Sequence, residues 1–98
     1  MKSEKIITHA EITINPKFLQ EILPKAKETR EKILLETGCE TFILTTKKEN
    51  ENTLVIFAVY TSQQTYDWHL EQDYVKSFFG FLDGKLENVP AVTYLKEV

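Results

Sequence analysis

The sequence has little of several residue types, and each shortage excludes a class of protein. Its 98 residues include one cysteine, three glycines and three prolines. One cysteine cannot form an internal disulfide, which favours a reducing compartment and predicts a cytoplasmic protein. The low glycine and proline content excludes collagen-like and low-complexity chains.

Charge and hydrophobicity exclude further classes. The longest apolar run, residues 54–60, is far shorter than the roughly 20 residues that span a bilayer, so no membrane segment is predicted. The first five residues lead into a strand-like run without a small-residue cleavage site, so we predict no signal peptide. The net charge is -3 and no basic patch is present, which argues against nucleic-acid binding. The length and the 42% apolar content indicate one domain over residues 1–98.

The first part of the chain predicts a strand followed by a helix. Residues 6–14 alternate between two faces, which is the period of a strand. Asn15 and Pro16 end the strand and cap the helix that follows. Pro24 lies inside this helix and removes a backbone donor, so we expect a kink or two short helices. Gly38 is expected to act as the C-cap.

The rest of the chain predicts a hairpin, a second helix and a last strand. Residues 39–46 and 53–61 form two strands joined by a polar connection over residues 47–52, and the second strand is apolar on both faces. Ser62 caps a long helix whose apolar stripe repeats every four residues. The stripe consists of Tyr66, Leu70, Tyr74, Phe78 and Leu82. Residues 91–96 form the fourth strand.

The predicted order βαββαβ is the ferredoxin-like arrangement. It is an α+β fold in which an antiparallel four-stranded sheet carries its helices on one face. No further helix is predicted to cover the other face, although the third strand is apolar there too. An exposed apolar patch of more than a few hundred Å2 is rare on a soluble monomer. We therefore predict a homodimer with two-fold symmetry, packed sheet face to sheet face.

Five segments, in order, resemble the antibiotic biosynthesis monooxygenase (ABM) domain family, a group of dimeric α/β barrels. They are residues 9–14, 36–39, 56–60, 62–70 and the closing strand. The most specific is the loop Glu36-Thr37-Gly38-Cys39, followed later by the helical pair His69-Leu70. The resemblance implies a pocket between helices and sheet, and an oxygenase that acts without a cofactor on quinols or polycyclic aromatics. Other members of the family isomerise small molecules, degrade heme or have no known activity.

The chain departs from the family pattern at three places. The family often shows Glu-x-Trp at the end of the third strand, where this sequence has Ala58 and Tyr60. A frequent second histidine falls at about Tyr74 here. Phe79 lies roughly where the heme-degrading branch has an axial histidine, so heme ligation is not expected. The missing glutamate and histidine remove two acid–base groups from the familiar arrangement.

His69 is the leading candidate for a catalytic residue. Histidine titrates near neutral pH and can take a proton from a phenol or an enol. Tyr66 lies one helical turn before it, and Asp73, four residues after it, could orient the ring. The alternative is a histidine at a helix boundary that is hydrogen-bonded to local backbone or to Asp73.

His9 and Glu11 share one face of the first strand and could form an acid–base pair. The alternative, which we favour, is a pair at the dimer interface or the sheet edge. The two histidines lack the spacing of a helical metal site, and Cys39 has no Cys or His near it in the sequence. No metal is therefore expected.

Aromatic residues around His69 are candidates for substrate binding. Tyr60, Tyr66 and Trp68 carry polar tips that need partners when buried, and Tyr74 belongs to the same stretch. Their rings could line a slot for a flat substrate. The alternative is core packing.

Three functions fit these residues. The first is a cofactor-independent monooxygenase, an oxidoreductase, in which His69 deprotonates a quinol or phenol and the anion gives an electron to O2. The second is an isomerase that moves a proton on a small metabolite without oxygen, again with His69 as the base. The third is a non-catalytic dimer that binds a small-molecule ligand or stabilises a partner.

Overall fold

The helices and strands follow the predicted βαββαβ order, except that the second helix is divided in two. The structure is a computed structural model that describes residues 4–98. The first three residues, part of the segment considered above as a leader, lie outside the described residues. The strands are β1 (Ile6–Thr13), β2 (Cys39–Lys47), β3 (Asn50–Tyr60) and β4 (Ala91–Leu95). The helices are α1 (Leu19–Ile33), α2 (Gln63–Leu70) and α3 (Asp73–Leu82), and a 3-10 turn at Pro16–Phe18 precedes α1.

The four strands form one antiparallel sheet in the order β2-β3-β1-β4. The central strands β1 and β3 pair from Ile6 opposite Tyr60 to Thr13 opposite Thr53. With the helices on one face, this sheet confirms the ferredoxin-like α+β fold of the protomer. The dimeric barrel stays a prediction.

The core lies between the helices and the sheet face that they cover. Ile12, Ile14 and Leu54 of the sheet side pack in one cluster with Ile22 of α1 and Phe78 of α3. The first four of these side chains are at most 1% exposed. Burying a side chain of this size contributes roughly 1.5–3 kcal/mol. The alternation of residues 6–14 therefore supplies the apolar floor on which both helical segments rest.

Helix α1 runs through Pro24 as one helix of 15 residues, so the expectation of two short helices is wrong. Pro24 is exposed, whereas Ile22, Ala26 and Ile33 of the same helix are buried. A proline inside a helix costs about 3 kcal/mol. Burial of the apolar stripe offsets that cost, because each large buried side chain contributes a similar amount.

Gly38 does not have the C-cap role that the sequence suggested. Helix α1 ends at Ile33 with Leu34 as its C-cap, and the only positive φ among the described glycines is at Gly84. Gly38 instead lies against Thr65 at the start of α2, where an added Cβ would collide with the threonine side chain. A glycine here lets the loop after α1 approach α2 closely.

The β2–β3 hairpin is tighter than predicted. β2 extends to Lys47 and β3 begins at Asn50, so two residues form the turn instead of the six expected. Lys47 and Asn50 pair directly across the hairpin. The polar residues assigned to a loop thus extend both strands in the exposed part of the sheet.

The helix predicted after Ser62 is interrupted between α2 and α3. Gln72 adopts an extended backbone conformation, and its side-chain amide donates a hydrogen bond to the carbonyl of Trp68 at 2.8 Å. This bond satisfies one of the carbonyls that a helix end leaves free. Along the predicted stripe, Leu70 before the break is 41% exposed, whereas Phe78 and Leu82 after it are buried.

The face of the sheet opposite the helices is uncovered, as the sequence predicts. Ile7, His9 and Glu11 of β1 lie on it beside Val59, Phe57 and Val55 of β3, which are their direct cross-strand partners. Apolar side chains therefore occupy both faces of β3. Within residues 4–98, no helix is long and apolar enough to cross a membrane.

Candidate active site

A cavity of about 90 Å3 lies between the inner face of the sheet and the helices. Its floor is formed by small and apolar side chains of the central strands, including Ala10 and Ala58. Apolar side chains of α1 and α3 form its walls, and the clustered rings of Tyr60, Tyr66 and His69 form a polar end. The cavity therefore combines an apolar body with one hydrogen-bonding end, which is the usual composition of a small-molecule site.

Two buried groups, Glu36 and His69, are paired behind this polar end. Nδ1 of His69 lies 2.9 Å from Oε2 and 3.1 Å from Oε1 of Glu36. The side chains are only 7% and 2% exposed for His69 and Glu36, respectively. A carboxylate can only accept hydrogen bonds, so Nδ1 carries the proton of this bond. The carboxylate thereby fixes both the orientation and the tautomer of the ring.

The other ring nitrogen of His69 contacts Tyr60. The Tyr60 hydroxyl lies 3.2 Å from Nε2, and the two rings are tilted against each other with centroids 4.7 Å apart. In the neutral ring with Nδ1 protonated, Nε2 is an acceptor, and the hydroxyl donates to it. Glu36, His69 and Tyr60 thus form a continuous hydrogen-bonded chain that ends at the cavity.

Tyr74 supplies a further donor to the same carboxylate. Its hydroxyl donates to Oε2 of Glu36 at 2.6 Å. Burial, followed by this hydrogen bond, raises the pKa of the Tyr74 hydroxyl above its usual range. The carboxylate therefore accepts hydrogen bonds from two side chains that both come from the α2–α3 segment.

Local sequence features explain why Glu36 and His69 meet. After α1 the chain turns, with the Glu36 amide donating to the carbonyl of Ile33 and the Cys39 amide donating to the carbonyl of Glu36. Helix α2 begins with a capping box, in which Ser62 and Thr65 exchange side-chain and backbone hydrogen bonds. The contact with Gly38 sets that box against the loop, which directs His69, in the last turn of α2, towards Glu36.

Tyr60 and Cys39 are both in neutral forms near pH 7. Burial, followed by nearby Cys39 and Glu36, raises the pKa of the Tyr60 hydroxyl far above its usual range. Burial, followed by the charge of Glu36, raises the pKa of the Cys39 thiol to about 11. The thiol donates a weak hydrogen bond to the carbonyl of Thr41 at 3.5 Å. This agrees with the interpretation of Cys39 as a small, partly buried apolar side chain.

Tyr66 links the polar end of the cavity to the edge strand β4. Its hydroxyl lies 2.9 Å from the hydroxyl of Tyr94, and its ring lies 5.1 Å from that of Tyr60, centroid to centroid. Burial raises the pKa of the Tyr66 hydroxyl, and the bond to Tyr94 raises it further. Tyr94 itself is 62% exposed, so the pair runs from the cavity to the surface.

Asp73 and Trp68 lie away from the position that the sequence suggested. The carboxylate that contacts His69 is Glu36 and not Asp73, which is exposed in the first turn of α3, where an acidic residue favours the helix N-terminus. Trp68 is 54% exposed and is not among the residues that line the cavity. The break between α2 and α3 accounts for Asp73, because it ends the helical spacing that would have placed Asp73 over His69.

His9 and Glu11 lie on the open face of the sheet, opposite the cavity. Glu11 is bonded to Lys47, with 3.1 Å between its Oε1 and Nζ, in a pair whose side chains are 39% and 50% exposed. The structure therefore separates both residues from His69 by the thickness of the sheet. Their position agrees with the alternative favoured above, which is a place at the interface or edge.

Sequence reasoning missed the role of Glu36. The residue belongs to the loop Glu36-Thr37-Gly38-Cys39, which the resemblance singled out, but no acid–base role was assigned to its carboxylate. The signal was a charged residue two positions before a glycine, shortly after an amphipathic helix. The described part of the chain contains no group of three or more His, Cys, Asp or Glu side chains that could hold a metal ion.

Comparisons with known proteins agree with this fold. The family model described as "Antibiotic biosynthesis monooxygenase" matches residues 5–80. A conserved protein from Methanosarcina mazei Go1 has a TM-score of 0.91 at 22% identity, covering 98% of this chain and 95% of that one. A crystal structure described as an antibiotic biosynthesis monooxygenase has a TM-score of 0.91 at 17% identity, covering 95% and 98%.

A protein from Mycobacterium tuberculosis is also similar, with a TM-score of 0.89 at 19% identity, covering 96% of this chain and 95% of that one. At these identities the solved structures show a shared fold. A comparison with curated proteins finds no match.

Proposed function

Because the chain belongs to the antibiotic biosynthesis monooxygenase family, we propose that it is a cofactor-independent monooxygenase of a small quinol or phenol, with His69 as the base. The observation that carries the proposal is the buried Glu36–His69 pair at the polar end of an apolar cavity. An imidazole held by a carboxylate is a common arrangement for a general base.

The reaction begins with removal of the substrate hydroxyl proton. His69 gains that proton, and the resulting imidazolium is stabilised by the carboxylate of Glu36 at 2.9 Å. The electron-rich anion then gives an electron to O2. One oxygen atom enters the substrate and the other leaves as water, with the substrate supplying the electrons. The protein contributes orientation, the base and an apolar cavity with little water.

The proposed assembly is a homodimer that covers the open face of the sheet. Phe57, Val55 and Val59 lie on this face, and Ile43 beside them is 49% exposed. A two-fold axis would place the same apolar surface of a second copy against them. The cavity lies on the other side of the sheet, so each protomer keeps a site of its own. The partly buried free thiol of Cys39 supports a place in a reducing compartment such as the cytoplasm.

Oxygen consumption by the purified protein tests the proposal. Wild type, His69→Ala and His9→Gln are compared with a panel of hydroquinones and naphthoquinols, and autoxidation is subtracted. We expect His69→Ala to lower the rate about 100-fold or more, the usual contribution of a general base. His9→Gln changes the histidine on the open face and serves as the matched control.

Three other outcomes would change the proposal. Equal rates for wild type and His69→Ala would refute a role of His69 as the base. Turnover that persists without oxygen would favour an isomerase. Binding without any turnover would leave a ligand-binding dimer.

A further inference from the structure

Both nitrogens of the His69 ring are already engaged within the protein. Nδ1 contacts Glu36 at 2.9 Å and Nε2 contacts the Tyr60 hydroxyl at 3.2 Å. A base whose accepting nitrogen is occupied cannot take a substrate proton directly without losing that bond. We propose that the Tyr60 hydroxyl is the group that meets the substrate, and that it passes the proton on to His69.

The proposed transfer moves two protons and no electrons. The substrate O–H bond breaks and its proton goes to the Tyr60 oxygen, while the proton that Tyr60 carried goes to Nε2 of His69. Tyr60 ends as a neutral phenol, His69 as an imidazolium beside Glu36, and the substrate as a phenolate. The charges balance, because the new phenolate and the new imidazolium form together.

The hydrogen bonding of Tyr60 fits this role. A phenolic oxygen has one donor hydrogen and acceptor lone pairs. The hydrogen is used towards His69, so a lone pair is available to accept a bond from a substrate hydroxyl. Tyr60 lines the cavity and is 2% exposed, so that partner must come from the cavity. Burial also disfavours a free tyrosinate, so the two proton transfers occur together.

The lining also limits the substrate class. Among residues 4–98, those that line the cavity include no lysine, arginine, aspartate or glutamate. A carboxylate or phosphate on the substrate would lose its hydration without gaining a partner, which is costly. The occupant is therefore an uncharged aromatic ring with a hydroxyl at the Tyr60 end. The cavity of about 90 Å3 favours one ring over a fused polycycle.

Anaerobic binding of a chromogenic phenol tests the relay without relying on oxygenation. The probe is 4-nitrophenol, held about one unit below its own solution pKa so that the free form is mostly neutral. Bound probe is measured by equilibrium dialysis, and its phenolate absorption band is measured per bound molecule. The variants are Tyr60→Phe, His69→Gln and, as the control, His9→Gln, which makes the same change to the histidine on the open face, outside the cavity lining.

We expect wild type and His9→Gln to convert bound probe to phenolate, and Tyr60→Phe and His69→Gln to bind it with loss of the band. An undiminished band in Tyr60→Phe would overturn the relay, because His69 would then meet the phenol directly. Failure of wild type to bind the probe, or to ionise it, would also overturn it.

A measurement on wild type alone covers the case in which Tyr60→Phe does not fold. The rate at which the phenolate band appears is followed in mixtures of H2O and D2O. If two protons move in the same step, this rate follows a curve when it is plotted against the deuterium fraction. A linear dependence would overturn the relay.

The relay rests on the same site as the proposed function, but different results would refute the relay and the monooxygenase. Phenolate formation without oxygen uptake keeps the relay and refutes the monooxygenase. Oxygen uptake that Tyr60→Phe leaves unchanged keeps the monooxygenase and refutes the relay.

Discussion

The two faces of the sheet carry one histidine each, in opposite surroundings. His69 packs over the inner face with both ring nitrogens hydrogen-bonded and its carboxylate partner almost fully buried. His9 lies on the open face, in the same strand as Glu11, whose carboxylate pairs with Lys47 near solvent. On the open face, water screens the charges and can replace either partner. On the inner face no water replaces a lost partner, so each hydrogen bond there has a larger effect on stability and on chemistry.

The largest expected difference between the faces is in the stability lost when a carboxylate is removed from each. Glu36→Ala leaves the hydroxyl of Tyr74 and Nδ1 of His69 without their partner, and we expect it to lower the free energy of unfolding by about 3 kcal/mol. Glu11→Ala removes an exposed ion pair and should change it by less than about 1 kcal/mol. Urea unfolding at one fixed protein concentration measures both. Equal losses for the two variants would contradict the comparison.

The close approach at Gly38 gives the next largest effect. In Gly38→Ala the new Cβ collides with Thr65, so the loop and α2 must separate, and we expect a loss of about 2 kcal/mol together with a weaker Glu36–His69 contact. Gly80→Ala is the matched control, because an added Cβ there meets nothing within 4 Å, and a helical alanine should stabilise by up to about 1 kcal/mol. Thermal unfolding followed by circular dichroism separates the two. A neutral Gly38→Ala would show that α2 is not held by this contact.

A substitution on the open face should weaken the dimer and leave the chemistry of the cavity unchanged. Phe57→Lys places a charge among the apolar side chains of that face, and we expect the dimer dissociation constant to rise by at least tenfold, about 1.4 kcal/mol. Sedimentation equilibrium measures it. The inner-face cavity should still bind a phenol, since Phe57 lies on the other side of the sheet. A protein that is monomeric before the change would refute the proposed dimer.

The smallest expected effect is that of Tyr60, on the inner face, on stability at alkaline pH. Burial raises the pKa of Tyr60 in the folded protein, whereas the unfolded chain has an ordinary value near 10. Its contribution to stability is therefore complete below about pH 10 and is lost as the pH rises above that value. Tyr60→Phe should make the decline above pH 10 less steep, by up to about 1.4 kcal/mol per pH unit. Urea unfolding from pH 9 to pH 11 tests this, and identical slopes would contradict it.

The elements were predictable where the signal is local. The alternation of residues 6–14 and the Ser62 cap each depend on neighbouring residues, and both are confirmed in the structure. The break at Gln72 was not predictable from spacing, because a stripe repeating every four residues fits one long helix as well as two short ones. The ability of Pro24 to interrupt helix α1 was overestimated, because the cost of a proline is local, while the burial that offsets this cost depends on the whole fold.

The site was predictable only in part, for the same reason. Tyr60, Tyr66 and His69 lie within one short stretch and share a cavity, as the sequence indicated. Glu36 is 33 residues from His69 and 38 from Tyr74 along the chain. No helical or strand period connects positions so far apart, and the nearby Asp73 was therefore the more obvious partner. Gly38 gave the one local hint, since a close contact was the reason for a glycine there.

The distance along the chain between Glu36 and its partners has a consequence for folding kinetics. The hydrogen-bonded network of Glu36, Tyr60, His69 and Tyr74 takes one group from the loop after α1, one from the end of β3 and two from the α2–α3 segment. The contacts of Glu36 with His69 and Tyr74 cannot form until the long segment between them has closed into a loop, and loop closure between distant residues is slow. The tyrosine and histidine signals of this network should therefore appear late in refolding, after the helices have formed. Partly folded chains would then lack the assembled base, so they could not start the proposed reaction with oxygen.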